Sequence, residues 1–254
     1  MTEQDFANVY ADTARAEAYA NLEYPGTYYL AFRDIPALLG AHVRGTRALD
    51  FGCGTGRSTR FLRDLGFHTV GIDIAEPMLA LARERDPQGD YRLVPADAPP
   101  ALERGGYDLV FAAFTFDNVP TTARKIEIFD TLAASLAARG CIVIIVSDPA
   151  IYRHEWASFS TRDFPENHRA RDGELVRCVM LDVPDRRPVD DILCTPETYR
   201  AIFARCGLRV VEEHRPLGRA DEPYAWVSET AVPPWTIYVL ARAETNEGAA
   251  AAEA

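Results

Sequence analysis

The stretch Thr46-Arg47-Ala48-Leu49-Asp50-Phe51-Gly52-Cys53-Gly54-Thr55-Gly56-Arg57-Ser58-Thr59-Arg60-Phe61-Leu62 decides the fold. An apolar run ends in Asp50, three glycines alternate with other residues, and an amphipathic segment follows. That order reads as a strand, a tight loop and a helix. The glycines stand where the backbone must turn sharply and let a ligand come close, and a side chain there would block it. The first amides of the helix point at the loop and favour an anionic group.

Spacing narrows the ligand. A dinucleotide fingerprint needs G-x-G-x-x-G, but three residues beyond Gly54 stands Arg57 and three beyond Gly56 stands Thr59. A phosphate P-loop needs G-x-x-x-x-G-K-[ST], and no lysine follows. The remaining form is D-x-G-x-G-x-G. A second carboxylate, Asp73, closes the next apolar run in Gly71-Ile72-Asp73-Ile74, where a doubly wound fold places the group that binds ribose hydroxyls. Asp73 can equally cap a helix starting near Ala75. Met78 is placed to pack on a base, or to fill core. Asp97, in Val94-Pro95-Ala96-Asp97-Ala98, lies at the next carboxyl end along the sheet.

Outward from this loop, short apolar runs alternate with amphipathic segments, the mark of βαβ units and a parallel sheet. The pattern predicts strands over 46–51, 68–73, 91–95, 107–113 and 141–147, with helices over 56–65, 76–85 and 121–138. Two further helices, over 4–22 and 27–40, are separated by Tyr24-Pro25-Gly26. Residues 149–194 lose the rhythm and carry a hairpin-like pair of runs at 174–182 and 188–194. It resumes at Thr195-Pro196-Glu197, a capped helix start running to Cys206, then strands over 208–215 and 235–242. The small, polar tail after Arg242 reads as disordered.

ALDFGCGTGRST, then GIDI at Asp73, PADA at Asp97 and YDLVFAAFTFDNVP after the fourth strand, in that order over residues 45–148, resemble the motifs of class I S-adenosylmethionine (SAM)-dependent methyltransferases. The resemblance implies a doubly wound, seven-stranded, mostly parallel α/β sheet with the last strand antiparallel. It implies SAM as cofactor, held by Asp50, Gly52, Gly54, Gly56, Asp73, Ile74, Met78, Asp97, Ala98, Phe114 and Asn118. The expected organisation is an N-terminal helical cap (1–40), a SAM-binding core (41–148), an inserted substrate lid (149–194), completion of the sheet (195–242) and the tail (243–254). No NPPY-type peptide follows the fourth strand, which argues against nucleobase amino groups and protein glutamine as acceptors.

Substrate contacts are expected from the carboxyl ends of the strands, the N-terminal helices and the lid, all rich in aromatics. The candidates are Tyr24, Tyr28, Arg33, Phe116, Phe159 and Trp235, with His154 and His168 as candidate bases and Asp117 as a candidate to orient a polar nucleophile or to cap the helix at 121. A formal net charge of -11 and a single lysine, Lys125, disfavour a nucleic-acid partner. The five cysteines form no CxxC pair, so no metal site or disulfide framework is read. There is no signal-peptide pattern, and no apolar run reaches the ~20 residues of a membrane span. The expectation is a cytoplasmic monomer or homodimer that methylates O or N of a cyclic or heteroaromatic small molecule in bacterial secondary metabolism. RNA methylation and SAM binding without transfer are the alternatives.

Overall fold

The computed structural model describes residues 12, 15, 17 and 22–243. Most of the helix expected over 4–22, and the tail beyond Ala243, lie outside the described residues. Two short helices come first, α1 (Thr27–Arg33) and α2 (Ile35–His42). Where one helix is expected over 27–40, the chain breaks at Asp34 because Pro36 has no amide to donate one turn back.

The α/β rhythm follows as β1 (Arg47–Phe51), α3 (Arg57–Asp64), β2 (His68–Asp73), α4 (Glu76–Arg85), β3 (Asp90–Leu93), β4 (Tyr107–Ala113), α5 (Thr122–Ser135) and β5 (Leu136–Ser147). The helix expected to reach 138 stops at Ser135, and its last residues open β5 instead, pairing Leu136 with Tyr107. Between β5 and α6 (Pro196–Arg205) lie β6 (Phe159–Ser160), β7 (Leu175–Met180) and β8 (Val189–Ile192), an antiparallel sheet of their own. The two longer strands are the hairpin read from the sequence. Thr195 caps α6 by accepting from the Thr198 amide at 3.4 Å. The chain closes with β9 (Leu208–His214) and β10 (Trp235–Arg242).

Among the described residues the main sheet has seven strands in the order β3-β2-β1-β4-β5-β10-β9. Every pairing is parallel except the two made by β10. Side chains alternate across it as the twofold strand repeat demands. Leu109, Phe111, Val143, Ile145, Ile237 and Val239 meet α1, α2 and the 149–194 segment. Val110, Ile142, Ile144, Tyr238 and Leu240 meet α5 and α6. Strand order reverses between β1 and β4, so a crevice opens at their carboxyl ends, the usual ligand site of an open α/β sheet.

One buried carboxylate ties the appended segments together. Glu229 is 0% exposed and accepts from Thr27 Oγ1 (2.6 Å), Ala157 N (2.8 Å), Val227 N (2.8 Å) and Ser228 N (3.1 Å). It joins α1 to the segment after β5 and to the β9–β10 connection.

Candidate functional site

The crevice is a cavity of about 550 Å³, within the range of cofactor pockets. Its floor is the glycine loop. Gly52 and Cys53 both donate to the Ile72 carbonyl, at 2.9 and 3.0 Å, which pins the loop across the end of β2. Gly52 sits at φ +72°, and a Cβ there would stand 2.3 Å from Thr115 Oγ1. Glycine is therefore dictated twice, by conformation and by space.

Asp73 lines the cavity and accepts from the Gly54 amide and the Ala75 amide, each at 2.8 Å. Burial raises its carboxyl above the ordinary value, and these amides counter the shift. Asp73 does not cap α4, whose N-cap residue Ala75 has no side-chain partner for the first turn; the carboxylate fixes the glycine loop and the Ala75 amide while lining the cavity. Ile74, Met78, Asp97, Ala98, Phe114 and Asn118 complete the expected set along the walls. Leu175, Asp190 and Ile192 bring the 149–194 segment to the cavity, and Phe32 brings α1.

Phe114 has φ +63°, an uncommon and strained conformation for a bulky residue. Its amide is held by the Ile145 carbonyl at 2.8 Å, and its ring packs against Trp235 with centroids 4.8 Å apart. The strain aims the ring between the cavity and a smaller inner chamber of about 50 Å³, whose wall it also forms with Asn118. Tyr28, Phe159 and Trp235 line that chamber, beside Asp117. Asp117 does not cap α5, a role taken by Thr121; it accepts from Ser147 Oγ at 2.9 Å and from the Ser147 amide.

Several expected site residues stand elsewhere. Asp50 lies beneath the loop, 0% exposed, accepting from Ser58 Oγ and Thr59 Oγ1 at 2.6 Å each, so it holds the start of α3 rather than facing the cavity. Gly56 is required by packing: a Cβ would meet the Tyr91 hydroxyl at 2.5 Å. Phe116 belongs to the core, stacked on Phe129 at 4.3 Å, because the turn after β4 directs it to the α5 face. Arg33 is spent on Asp34 and Glu222, at 2.7 and 2.8 Å. Tyr24 packs on Phe32 and donates to the Arg57 carbonyl at 3.3 Å. His154 and His168 are exposed and line neither cavity.

Residue-type reasoning missed Arg57 and Asp191. Arg57 is buried at the cavity wall at the first position of α3, its guanidinium 5.1 Å from the Tyr28 ring centroid and donating to the Glu23 carbonyl at 2.6 Å. Its place directly after the glycine loop was a visible signal. Asp191 had none beyond being one of many acidic residues.

Residues 48–140 match the family model for a methyltransferase domain. A ubiquinone biosynthesis O-methyltransferase of Paraburkholderia xenovorans is 35% identical over 96 residues, 36% of this chain and 41% of that one. Its counterpart from Burkholderia cenocepacia is 30% identical over 136 residues, 48% of this chain and 59% of that one. The chain thus spans 41 to 59% of the length of these two curated relatives. The CcbJ methyltransferase of Streptomyces caelestis superposes with a TM-score of 0.62 at 20% identity, covering 90% of this chain and 96% of that one. A SAM-dependent methyltransferase of Mesorhizobium loti does so at 0.59 and 22%, covering 84% and 98%. Residues 48–140 are thus similar to a methyltransferase domain, and the chain has the fold of solved SAM-dependent methyltransferases; the cofactor that this likeness implies is SAM.

The cavity fits that cofactor on its own geometry. The glycine loop leaves room for the amino-acid end beside the uncapped first turn of α3 and Arg57. Asp73 offers a carboxylate to a diol, and Met78 and Val94 offer apolar surface to a base. Among the described residues no group of side chains is arranged to hold a metal, and no helix is long and apolar enough to cross a membrane.

Proposed function

We propose that this protein is a SAM-dependent methyltransferase acting on oxygen or nitrogen of a cyclic or heteroaromatic small molecule, of the kind made in bacterial secondary metabolism, in the cytoplasm. The carrying observation is a single cavity with the glycine loop and Asp73 at one end and the aromatic, lid-covered wall at Phe114 and Asn118 at the other. When bound, SAM supplies an electrophilic methyl group on sulfur, open to in-line displacement. The chain's share is positional. Gly52, Gly54 and Asp73 hold the cofactor's two ends, and Phe114, Phe32, Leu175 and Ile192 exclude water from the wall. Asn118 is fixed by donating to Asp191 Oδ1 at 2.7 Å, so its carbonyl oxygen stays available to orient an acceptor. The partial O-methyltransferase relatives support transfer to a small molecule, and the acidic balance of the chain speaks against RNA.

Calorimetric titration with S-adenosylhomocysteine tests this. Binding is expected, and Asp73→Ala is expected to weaken it by about tenfold or more, the usual worth of a buried charged hydrogen-bonding partner. Absence of binding, or equal binding by Asp73→Ala, overturns the reading. Tritiated methyl transfer into a fractionated metabolite pool then separates transfer from mere binding.

A further inference from the structure

The inner chamber behind Phe114 differs from the main cavity in kind. Its polar end is built by Asp117, Ser147, Tyr152, Cys178 and Asp191, and its other walls are largely aromatic, from Tyr28, Phe159 and Trp235. Asp191 accepts from Tyr152 OH at 3.0 Å and from Asn118 Nδ2 at 2.7 Å, while among the described residues Asp117 is served by Ser147 alone. All these donors are neutral, and an ionised carboxylate has about four acceptor positions, so both groups keep capacity to spare. The nearby cations make their direct contacts elsewhere, although the charge of Lys125 still reaches both carboxyls. Lys125 Nζ donates to the Val119 carbonyl at 2.5 Å, Arg177 pairs with Asp190 at 2.8 Å, and Arg15 donates to the Pro188 carbonyl at 2.8 Å.

A second observation is independent of the carboxylates. The Cys178 thiol, 3% exposed, faces the chamber with no hydrogen-bond partner among the described residues. Burial, and then the charge of Asp191, push Asp117 up to about 7; burial raises Asp191 to about 6. These are desolvated acids, and the charge of Lys125 offsets only part of the cost of ionising them.

We infer that this chamber seats the protonated amine of the acceptor, its ammonium hydrogens donated to Asp117 and Asp191 and its first carbons held among Tyr28, Phe159 and Trp235. The inference rests on the methyltransferase reading insofar as the amine belongs to the acceptor. An ammonium brings the charge and the several donors that two carboxylates require, and aromatic faces attract it further. A hydroxyl brings one donor and no charge. A water-sized group needs about 10–15 Å³, so roughly 50 Å³ accepts an ammonium and its adjoining carbons but not a ring. The body of the acceptor then lies in the main cavity, past Phe114 and Asn118.

The test uses the full chain at neutral pH, titrated with 2-phenylethylamine and with its uncharged analogue 2-phenylethanol, with and without saturating S-adenosylhomocysteine. The amine is expected to bind about tenfold tighter than the alcohol, as a desolvated charge pair allows. Asp191→Asn keeps the shape and is expected to reduce that preference to roughly twofold or less while leaving S-adenosylhomocysteine affinity unchanged. Absence of an amine preference in the wild type, including no binding at all, overturns the inference. So does a preference that survives both Asp191→Asn and Asp117→Asn. Failure to bind S-adenosylhomocysteine counts against the methyltransferase reading instead, and the amine titration without it still decides the chamber.

Discussion

The cofactor cavity and the inner chamber share Phe114 and Asn118 but are made differently. The cavity floor is backbone, from one loop and one carboxylate 19 residues further along the chain than Gly54. The chamber is side chains, from Tyr28 to Trp235, brought together only by the completed sheet and the 149–194 segment. A backbone floor depends on which residues are absent, chiefly Cβ atoms, and serves one ligand whatever the acceptor. A side-chain chamber depends on which residues are present, and one substitution can change what it selects while the loop stays intact.

The sharpest break in this comparison is Gly52→Ala. The new Cβ meets Thr115 Oγ1 and Cγ2 at 2.3 and 2.4 Å and must adopt φ +72°, so the loop has to move. We expect S-adenosylhomocysteine affinity to fall by roughly a hundredfold, since the strain of about 1–2 kcal/mol adds to the steric overlap. Gly40→Ala on α2 is the control: nothing lies within 4 Å of its Cβ, and helix propensity makes it about 0.5–1 kcal/mol more stable with unchanged affinity. Equal affinities for the two variants would show that the floor does not hold the ligand.

Glu229→Ala separates the regions from the other side. It leaves the Thr27 hydroxyl and the amides of Ala157, Val227 and Ser228 without their buried acceptor. A cost of about 2–4 kcal/mol in denaturant unfolding is expected. The loss falls where α1 meets the segment after β5, so any amine preference should decline while S-adenosylhomocysteine still binds within roughly threefold, a small change on the affinity scale. An unchanged unfolding midpoint would remove Glu229 from the account of how the chamber is held.

The same contrast explains what the sequence revealed. Gly52, Gly54 and Asp73 announce themselves because a loop constrained by backbone geometry leaves a fixed local spacing. The central strands β1, β4 and β5 were legible for a related reason, as buried parallel strands are continuous apolar runs. Asp191, Tyr152 and Cys178 obey no such spacing, and their meeting depends on how β7 and β8 dock on the turn at Phe116–Asn118. Residue type was a poor guide there. His154 and His168 carry suitable chemistry but sit on the exposed surface, whereas Asp117, read as orienting a nucleophile or capping a helix, is a buried chamber wall. Phe116, two residues from Phe114, turned to the opposite face because the turn after β4 reverses its direction.

The smallest expected effect is a pH dependence of stability. Asp117 and Asp191 are raised from 3.8 to about 7 and about 6, chiefly by burial, with Lys125 as the opposing cation, Asp190 as the further acid beside Asp191, and Tyr152 and Asn118 as its hydrogen-bond donors. Between pH ~4 and ~7 the folded protein therefore holds protons that the unfolded chain has released, and stability from this source falls as pH rises. Asp50, raised to about 6, acts the same way from beneath the glycine loop. Carboxylates lowered by their partners, such as Asp34 and Asp185, lose their contribution only below the ordinary carboxylate range, so this window isolates the raised ones. Thermal unfolding followed from pH 4.5 to 7.5 should show a declining midpoint in the wild type and a shallower decline in Asp191→Asn, with Asp50→Asn removing a separate share. If Asp191→Asn follows the wild-type slope, the chamber carboxylates are already ionised without penalty, and the desolvation that distinguishes them from the cofactor cavity is absent.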